Sequence, residues 1–86
     1  MIVQWSDTAL RRMQELLVKG TKEAWHAYDR IEERVLQLEH LPNLKAVRLI
    51  GRRALVVTGT PYIIIYTVDP DAVRIRAIRD ARESGR

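Results

Sequence analysis

The first half of the chain has the hydrophobic pattern of two amphipathic helices separated by a short break. In the second helix, apolar residues recur at steps of four and three, which places them on one helical face. They are Ala24, Tyr28, Ile31, Val35 and Leu38. Gly20 predicts a left-handed end to the first helix, and Thr21 is a predicted cap for the second. With Pro42 ending the second helix, the pattern predicts an antiparallel helical hairpin.

A short strand and a helix cap precede this hairpin. Residues 1–5 are a strand candidate, and Ser6 and Asp7 offer side-chain oxygens for the first free amides of a helix. Apolar residues then follow at helical spacing: Leu10, Met13, Leu16 and Leu17. The N-terminal third is therefore predicted to be a strand followed directly by a helix.

After Pro42 the pattern changes to that of strands. Candidates cover residues 45–50, 53–58, 62–68 and 73–78, with turns at 59–61 and 69–71. In the last strand, apolar residues alternate with Arg74 and Arg76. The apolar residues, which are Val73, Ile75 and Ala77, are expected to be buried, and the two arginines are expected to be exposed to solvent. The order β-α-α-β-β-β-β predicts an α+β fold. We expect the N-terminal strand and the helical hairpin to pack on a curved antiparallel sheet, in one domain spanning residues 1–86.

Composition limits the type of protein. A hydrophobic fraction of 47% and a charged fraction of 30% are those of a globular chain. The absence of cysteine excludes disulfides and thiolate metal sites. The longest apolar run, residues 62–66, is too short to cross a bilayer, and the first residues do not resemble a secretion signal. We therefore expect a cytoplasmic protein with no membrane partner.

Charge is distributed unevenly along the chain. Residues 1–42 carry six Lys/Arg against seven Asp/Glu, a net −1, whereas residues 43–86 carry nine against four, a net +5. Eight of those nine cations are arginine, whose planar fork suits phosphate or carboxylate groups. This half of the chain therefore favours a polyanion or an acidic protein as partner.

Five of these arginines form the candidate target-binding surface. They are Arg48, Arg52, Arg53, Arg79 and Arg82. If the strands pair as a meander, these side chains are expected to converge on one concave side of the sheet. Arg74 and Arg76 are equally consistent with a solvated sheet face.

Aromatic and histidine residues have mainly structural interpretations. Tyr62 and Tyr66 share a strand face, so core packing is the first interpretation and a tyrosine placed against RNA is the second. Packing is also expected for Trp5, Trp25 and Tyr28. His26 and His40 have no partner at metal-ligand spacing, so a surface or capping role is expected and no metal site is predicted.

At the level of order and spacing, the chain resembles toxins of the RelE/ParE superfamily, the poison half of bacterial toxin–antitoxin pairs. The similar segments cover nearly the whole chain. They are residues 3–6 with Ala9, then Ala24, Ile31 and Leu38 followed by Pro42, then residues 53–57 and 59–66, and finally residues 75–82. The resemblance implies a microbial-RNase-like α+β fold, no cofactor, and a cognate antitoxin as partner.

The resemblance also implies one of two targets. ParE-type members poison DNA gyrase, whereas RelE-type members are metal-independent endoribonucleases that cleave mRNA on the ribosome with basic residues and a tyrosine. Where RelE-type nucleases have two lysines and an arginine, this chain has Ala54, Val56 and Ile63. Where many relatives have a histidine, it has Arg79, and it retains the closing Arg82. Cleavage needs cations to stabilise the phosphorane, so these departures weaken the nuclease interpretation unless Arg48, Arg52 or Arg53 substitutes from a neighbouring position.

Three hypotheses follow, in this order. The first is a ParE-like gyrase poison whose contact includes Arg79, Arg82 and the C-terminal tail. The second is an mRNA interferase in which Arg82 and either Tyr62 or Tyr66 are catalytic. In this hypothesis the RNA is bound by Arg48, Arg52 and Arg53. The third is an inactive basic binding module on the same scaffold.

Overall fold

The computed structural model describes residues 2–42, 47–49 and 51–84, and for residues 47–49 and 84 it describes the backbone. The elements, in chain order, are β1 (Ile2–Trp5), α1 (Asp7–Lys19), α2 (Lys22–His40), β2 (Val47–Leu49), β3 (Arg52–Val56), β4 (Tyr62–Val68), β5 (Ala72–Asp80) and a short 3₁₀ helix (Ala81–Ser84). The predicted element order is confirmed. Met1, residues 45, 46 and 50 of the predicted second strand, and the tail at 85–86 lie outside the described residues.

The five strands form one sheet in the order β1-β5-β4-β3-β2. The last four strands make an antiparallel meander, as predicted. The strand β1 instead pairs with β5 in parallel, with Val3 opposite Val73. This parallel pairing departs from the predicted all-antiparallel sheet. It arises because the helical hairpin carries the chain across the sheet before the meander begins.

The helical hairpin begins and ends at the predicted caps. The Ser6 hydroxyl accepts from the Ala9 amide at 3.0 Å, and the Thr21 hydroxyl accepts from the Ala24 amide at 3.1 Å. Gly20 closes α1 with a φ of 66°, in the left-handed region that glycine adopts without strain. The helix α2 ends at His40, two residues before Pro42. Local chemistry therefore fixes both ends of the break between the helices.

One face of the sheet packs on the hairpin and forms the core. Its largest fully buried side chains include Ile31 and Leu38 from α2, Leu55 from β3, and Ile64 and Tyr66 from β4. Trp5 and Tyr28 pack against this core, as expected. Trp25 does not, because its side chain lies between the buried positions of α2 and is 56% exposed.

A β-bulge in β5 changes the predicted alternation. Ile65 of β4 is opposite Ala77, but the next residue, Tyr66, is opposite Ile75, so Arg76 is an extra residue in β5. Ala77 was predicted to face the core; it is shifted to the opposite face, and Ile78 takes the buried position. The bulge therefore reverses the orientation of every residue after Arg76.

We call the sheet face turned away from the helices the open face. Strand alternation and register assign to it Arg52, Ala54, Val56, Ile63, Ile65, Thr67, Arg74, Ala77 and Arg79.

Within the part of the chain that the structure describes, no helix combines the length and the apolar character required to cross a bilayer.

Candidate functional site

The most constrained cation of the C-terminal region is Arg82, in the 3₁₀ helix that follows β5. Its guanidinium makes two hydrogen bonds to the Asp80 carboxylate, with Nε 3.0 Å from Oδ1 and Nη2 2.8 Å from Oδ2. The Arg82 backbone amide also donates to Oδ1, at 2.9 Å. This paired fork-to-carboxylate geometry fixes the direction of a side chain that is itself 68% exposed.

Asp80 is the buried half of this pair. Its residue is 6% exposed and lies opposite Tyr62 across the β4–β5 ladder. The hydrogen bond from Arg82 lowers the pKa of the Asp80 carboxyl, and the same bond raises the pKa of Arg82. Both groups are therefore charged over the whole physiological pH range.

Tyr62 links this pair to α1. The Arg12 guanidinium lies 5.9 Å from the centre of the Tyr62 ring, and its Nη2 donates to Glu83 Oε1 at 2.6 Å. Burial is the main cause that raises the pKa of Tyr62, so its hydroxyl keeps its proton. A second bond, from Arg12 Nε to the Ile78 carbonyl at 3.2 Å, ties α1 to β5.

Tyr62 and Arg82 line a groove between the tip of the helical hairpin and the turn before β4. The groove has a volume of about 740 Å³. Its polar side chains come from Lys19, Lys22, Glu23, His26, Thr60 and Arg82. Cations outnumber the one carboxylate, and Tyr62 lies on its wall, so the groove suits an anionic group attached to an apolar body.

Arg53 and Tyr66 form a separate cluster on the opposite side of the sheet from the open face. Arg53 is opposite Tyr66 in the ladder, and both side chains donate to the Pro42 carbonyl, at 3.0 and 3.2 Å. Tyr66 is fully buried, and burial raises the pKa of its hydroxyl. These two residues hold the segment after α2 against the sheet, so Tyr66 is not accessible to an RNA.

Arg79 lies on the open face, next to the positions where the RelE-type pattern has cations. Ile63 is opposite Val56 on one side and opposite Arg79 on the other. Ala54 is opposite Ile65, and Val56 is 57% exposed. Arg79 therefore borders a patch whose other members are apolar, which we call the apolar row (Ala54, Val56, Ile63).

The structure describes the side chains of four of the five predicted target-binding arginines, and these four do not converge on one concave surface. Arg52 and Arg79 share the open face but lie at opposite ends of it, Arg53 faces the helical side, and Arg82 lies beyond the end of β5. Because alternation sends neighbouring residues to opposite faces, Arg52 and Arg53 belong to different faces of the sheet. Arg48 is opposite Arg53 in the β2–β3 ladder, and its side chain lies outside the described residues.

Sequence reasoning did not identify Asp80 and Arg12 as part of this site. The spacing of Asp80 and Arg82, two residues apart at the end of a strand, was the available signal. Arg12 gave none, because 66 residues separate it from Ile78 along the chain. Such a contact depends on how α1 lies across β5.

The fold has a close structural counterpart. A chain in the structure described as "Chromosomal ParDE TA system from P. aeruginosa" superposes with a TM-score of 0.76. It is 22% identical, and the match covers 93% of this chain and 95% of that chain. No curated protein matches the chain in sequence.

The sequence itself carries the family assignment. The family described as "ParE toxin of type II toxin-antitoxin system, parDE" matches residues 3–85, so the match runs from β1 to just beyond the 3₁₀ helix. The match therefore includes every described element of the sheet and both helices. The chain belongs to the ParE toxin family of type II toxin–antitoxin systems.

Proposed function

We propose that this chain is a growth-arresting toxin that poisons DNA gyrase and is held inactive by a cognate antitoxin. Membership of the ParE toxin family supports the toxin role. The structurally similar chain belongs to a ParDE toxin–antitoxin system, which supports an antitoxin partner for this chain as well.

The observation that carries the choice of gyrase is the apolar row on the open face. Ala54, Val56 and Ile63 stand where a ribonuclease of the superfamily has cations, and the register places Val56 directly opposite Ile63. Methyl groups cannot stabilise the negative charge that develops on a phosphorane. Losing one such electrostatic contact costs a ribonuclease about 100- to 1,000-fold in rate.

The tyrosines give a second argument against RNA cleavage. Tyr66 is fully buried and donates its hydroxyl proton to the Pro42 carbonyl. Burial raises the pKa of both Tyr62 and Tyr66, so neither phenol is suited to accept a proton at neutral pH. A gyrase poison needs neither group.

The cations that we propose for target contact are Arg79 and Arg82. Arg79 is exposed beside the apolar row. Arg82 follows the end of β5, and its side chain is oriented by hydrogen bonds to Asp80. An exposed arginine bordering apolar side chains is a common composition for the centre of a protein–protein interface. This region is our proposed contact with gyrase.

Induced expression in a bacterium tests the proposal. The expected result is growth arrest with accumulated gyrase–DNA cleavage complexes, while translation continues. Rapid loss of translation with cleaved mRNA would instead establish the mRNA interferase, and normal growth would establish the inactive binding module.

Matched variants then test the residues. Arg79→Ala and Arg82→Ala are expected to relieve growth arrest at equal protein level, whereas Arg11→Ala, which removes an exposed arginine from α1, should not. Full arrest by a folded Arg82→Ala variant would refute its role.

A further inference from the structure

A second pocket lies at the opposite end of the sheet from Arg82. It has a volume of about 380 Å³ and lies between the β2–β3 turn at Gly51 and the end of β4. Its charged and hydroxyl-bearing lining residues are Arg52, Arg53, Thr67, Asp69 and Arg76. Of these, Arg53 is also bonded to the Pro42 carbonyl. By strand alternation Arg52 and Thr67 lie on the open face, whereas Arg53 and Val68 lie on the opposite face, so the pocket lies at the end of the sheet.

The β-bulge brings Arg76 into this pocket. As the extra residue of β5, Arg76 is opposite no residue of β4, and its Nε lies 3.2 Å from the Thr67 hydroxyl oxygen. A bulge is a common means of re-aiming one side chain of a strand. Arg52, from the start of β3, lies on the same face as Thr67.

The charge of the pocket is positive. The Asp69 carboxylate is paired with Arg74 Nε, and Arg74 also bonds to the Gln4 side chain. With that ion pair neutral, the guanidinium groups of Arg52 and Arg76 are left without a carboxylate partner among the contacts of the described residues. Both residues are exposed.

Gly51 lies on the rim of the pocket, exposed among the residues that the structure describes. Gly51, at a φ of 67°, forms the turn, and a Cβ at this position would meet no atom within 4 Å. The turn at Gly51 is therefore not packed against other described atoms. The polar lining distinguishes this pocket from the apolar row, and polar donors without an apolar centre favour a phosphate ligand over a protein partner.

We propose that this pocket binds the phosphodiester backbone of a nucleic acid. The two guanidinium forks would each donate to phosphate oxygens, and the Thr67 hydroxyl orients the Arg76 fork. The inference goes beyond the gyrase assignment and does not depend on it, because binding is measured on the purified chain alone.

Fluorescence anisotropy of the full chain tests the proposal. The probes are a short fluorescein-labelled DNA duplex and a single-stranded RNA of the same length. We expect binding to at least one probe, weakened about 10- to 100-fold by Arg52→Gln and by Arg76→Gln, as for loss of a charged hydrogen bond. Each substitution should also lower the slope of log affinity against log salt concentration by about 0.9 for a DNA duplex, the value for one phosphate contact.

Arg11→Gln is the matched control, since it removes one exposed charge from α1. Arg52→Lys keeps the charge and removes the fork, so its affinity should lie between wild type and Arg52→Gln. A thermal unfolding midpoint equal to that of the wild type would confirm that each variant is folded.

Several outcomes would overturn the proposal. If Arg11→Gln weakened probe binding as much as the pocket variants do, the effect would be explained by net charge alone. The absence of binding to either probe would exclude the site. Tighter binding of labelled poly-glutamate, lost in the same two variants, would assign the pocket to an acidic protein instead.

Discussion

At the scale of single residues, the partners of each arginine decide what it is able to do. Arg82 is exposed but oriented, because the buried Asp80 carboxylate holds it at two points. Arg53 is committed to the Pro42 carbonyl and contributes to structure. Arginine is therefore a proposed target contact at position 82 and a structural residue at position 53.

The Asp80 pair predicts a pH dependence of stability. Its carboxyl has a folded pKa below the ordinary value of 3.8, so the pair stabilises the fold above that pH and the contribution is lost as pH falls through the folded pKa. Asp80→Asn should lower the free energy of unfolding by about 1 kcal/mol at neutral pH. Denaturant titration should show this difference between wild type and variant disappearing well below pH 3.8.

Asp71→Asn is the control for this experiment, because Asp71 is exposed. Its stability should follow that of the wild type at each pH. A pH-independent difference for Asp80→Asn would show that the carboxylate charge is not what stabilises the fold.

Tyr66→Phe separates a structural tyrosine from a catalytic one. The variant loses the hydrogen bond to the Pro42 carbonyl and should be less stable by about 1 kcal/mol. Growth arrest on induction should be unchanged, because the hydroxyl is buried. Abolished arrest in a variant that remains folded would restore Tyr66 as a functional residue.

At the scale of elements, Ser6 joins α1 to the bulge in β5. Its hydroxyl accepts from the Ala9 amide and donates to the Arg76 carbonyl at 2.7 Å, while its amide donates to the Ile75 carbonyl at 2.9 Å. A bulge interrupts the ladder locally, so its carbonyl needs a partner from elsewhere. The helix cap therefore also stabilises the strand irregularity that aims Arg76.

This double role makes Ser6→Ala more costly than an ordinary loss of a cap. We expect about 2 kcal/mol less stability, the sum of a cap and a further hydrogen bond. Thr21→Ala, which removes a cap whose side-chain hydrogen bond stays within α2, should cost about 1 kcal/mol. Chemical denaturation of the two variants measures the difference, and equal losses would mean that the bond to Arg76 adds nothing.

At the scale of the whole molecule, the sheet separates two surfaces that a single core supports. The apolar row, Arg79 and Arg82 lie toward one end of the strands, and the pocket of Arg52 and Arg76 lies at the other. Residues such as Ile31 connect the hairpin to the sheet beneath both surfaces. Loss of the core should therefore affect both surfaces together.

Ile31→Ala tests this dependence. Ile31 is fully buried, so the truncation should cost about 2–5 kcal/mol and weaken growth arrest through loss of folded protein. Arg82→Ala should weaken arrest while the folded protein level is maintained. Val18→Ala, at an 87% exposed position, is the control that should change neither growth arrest nor protein level.

The element order and the caps could be predicted because they depend on neighbours in sequence. The stripe of α2, the cap at Thr21 and the left-handed Gly20 each involve residues within about four positions, the range over which helices organise themselves. The strand β4 matches its predicted bounds, Tyr62–Val68, because β-branched and aromatic residues fill it. These features depend on local backbone preference.

What sequence reasoning missed depends on contacts between distant segments. The bulge at Arg76, which moved Ala77 away from the core, has no signature in a strand that alternates regularly. The parallel pairing of β1 with β5 also joins the two ends of the chain, and local patterns carry no record of it.

By itself, the sequence determined the α+β fold, the helical hairpin, the excess of arginine in the second half and the resemblance to a toxin family. Only the tertiary structure decided which arginines share a face, which are held by carboxylates and which remain open. The physical reason is that a side chain's direction in a sheet depends on register, and one extra residue reverses it. The proposed contacts depend on those directions, so they could be assigned only after the strands were paired.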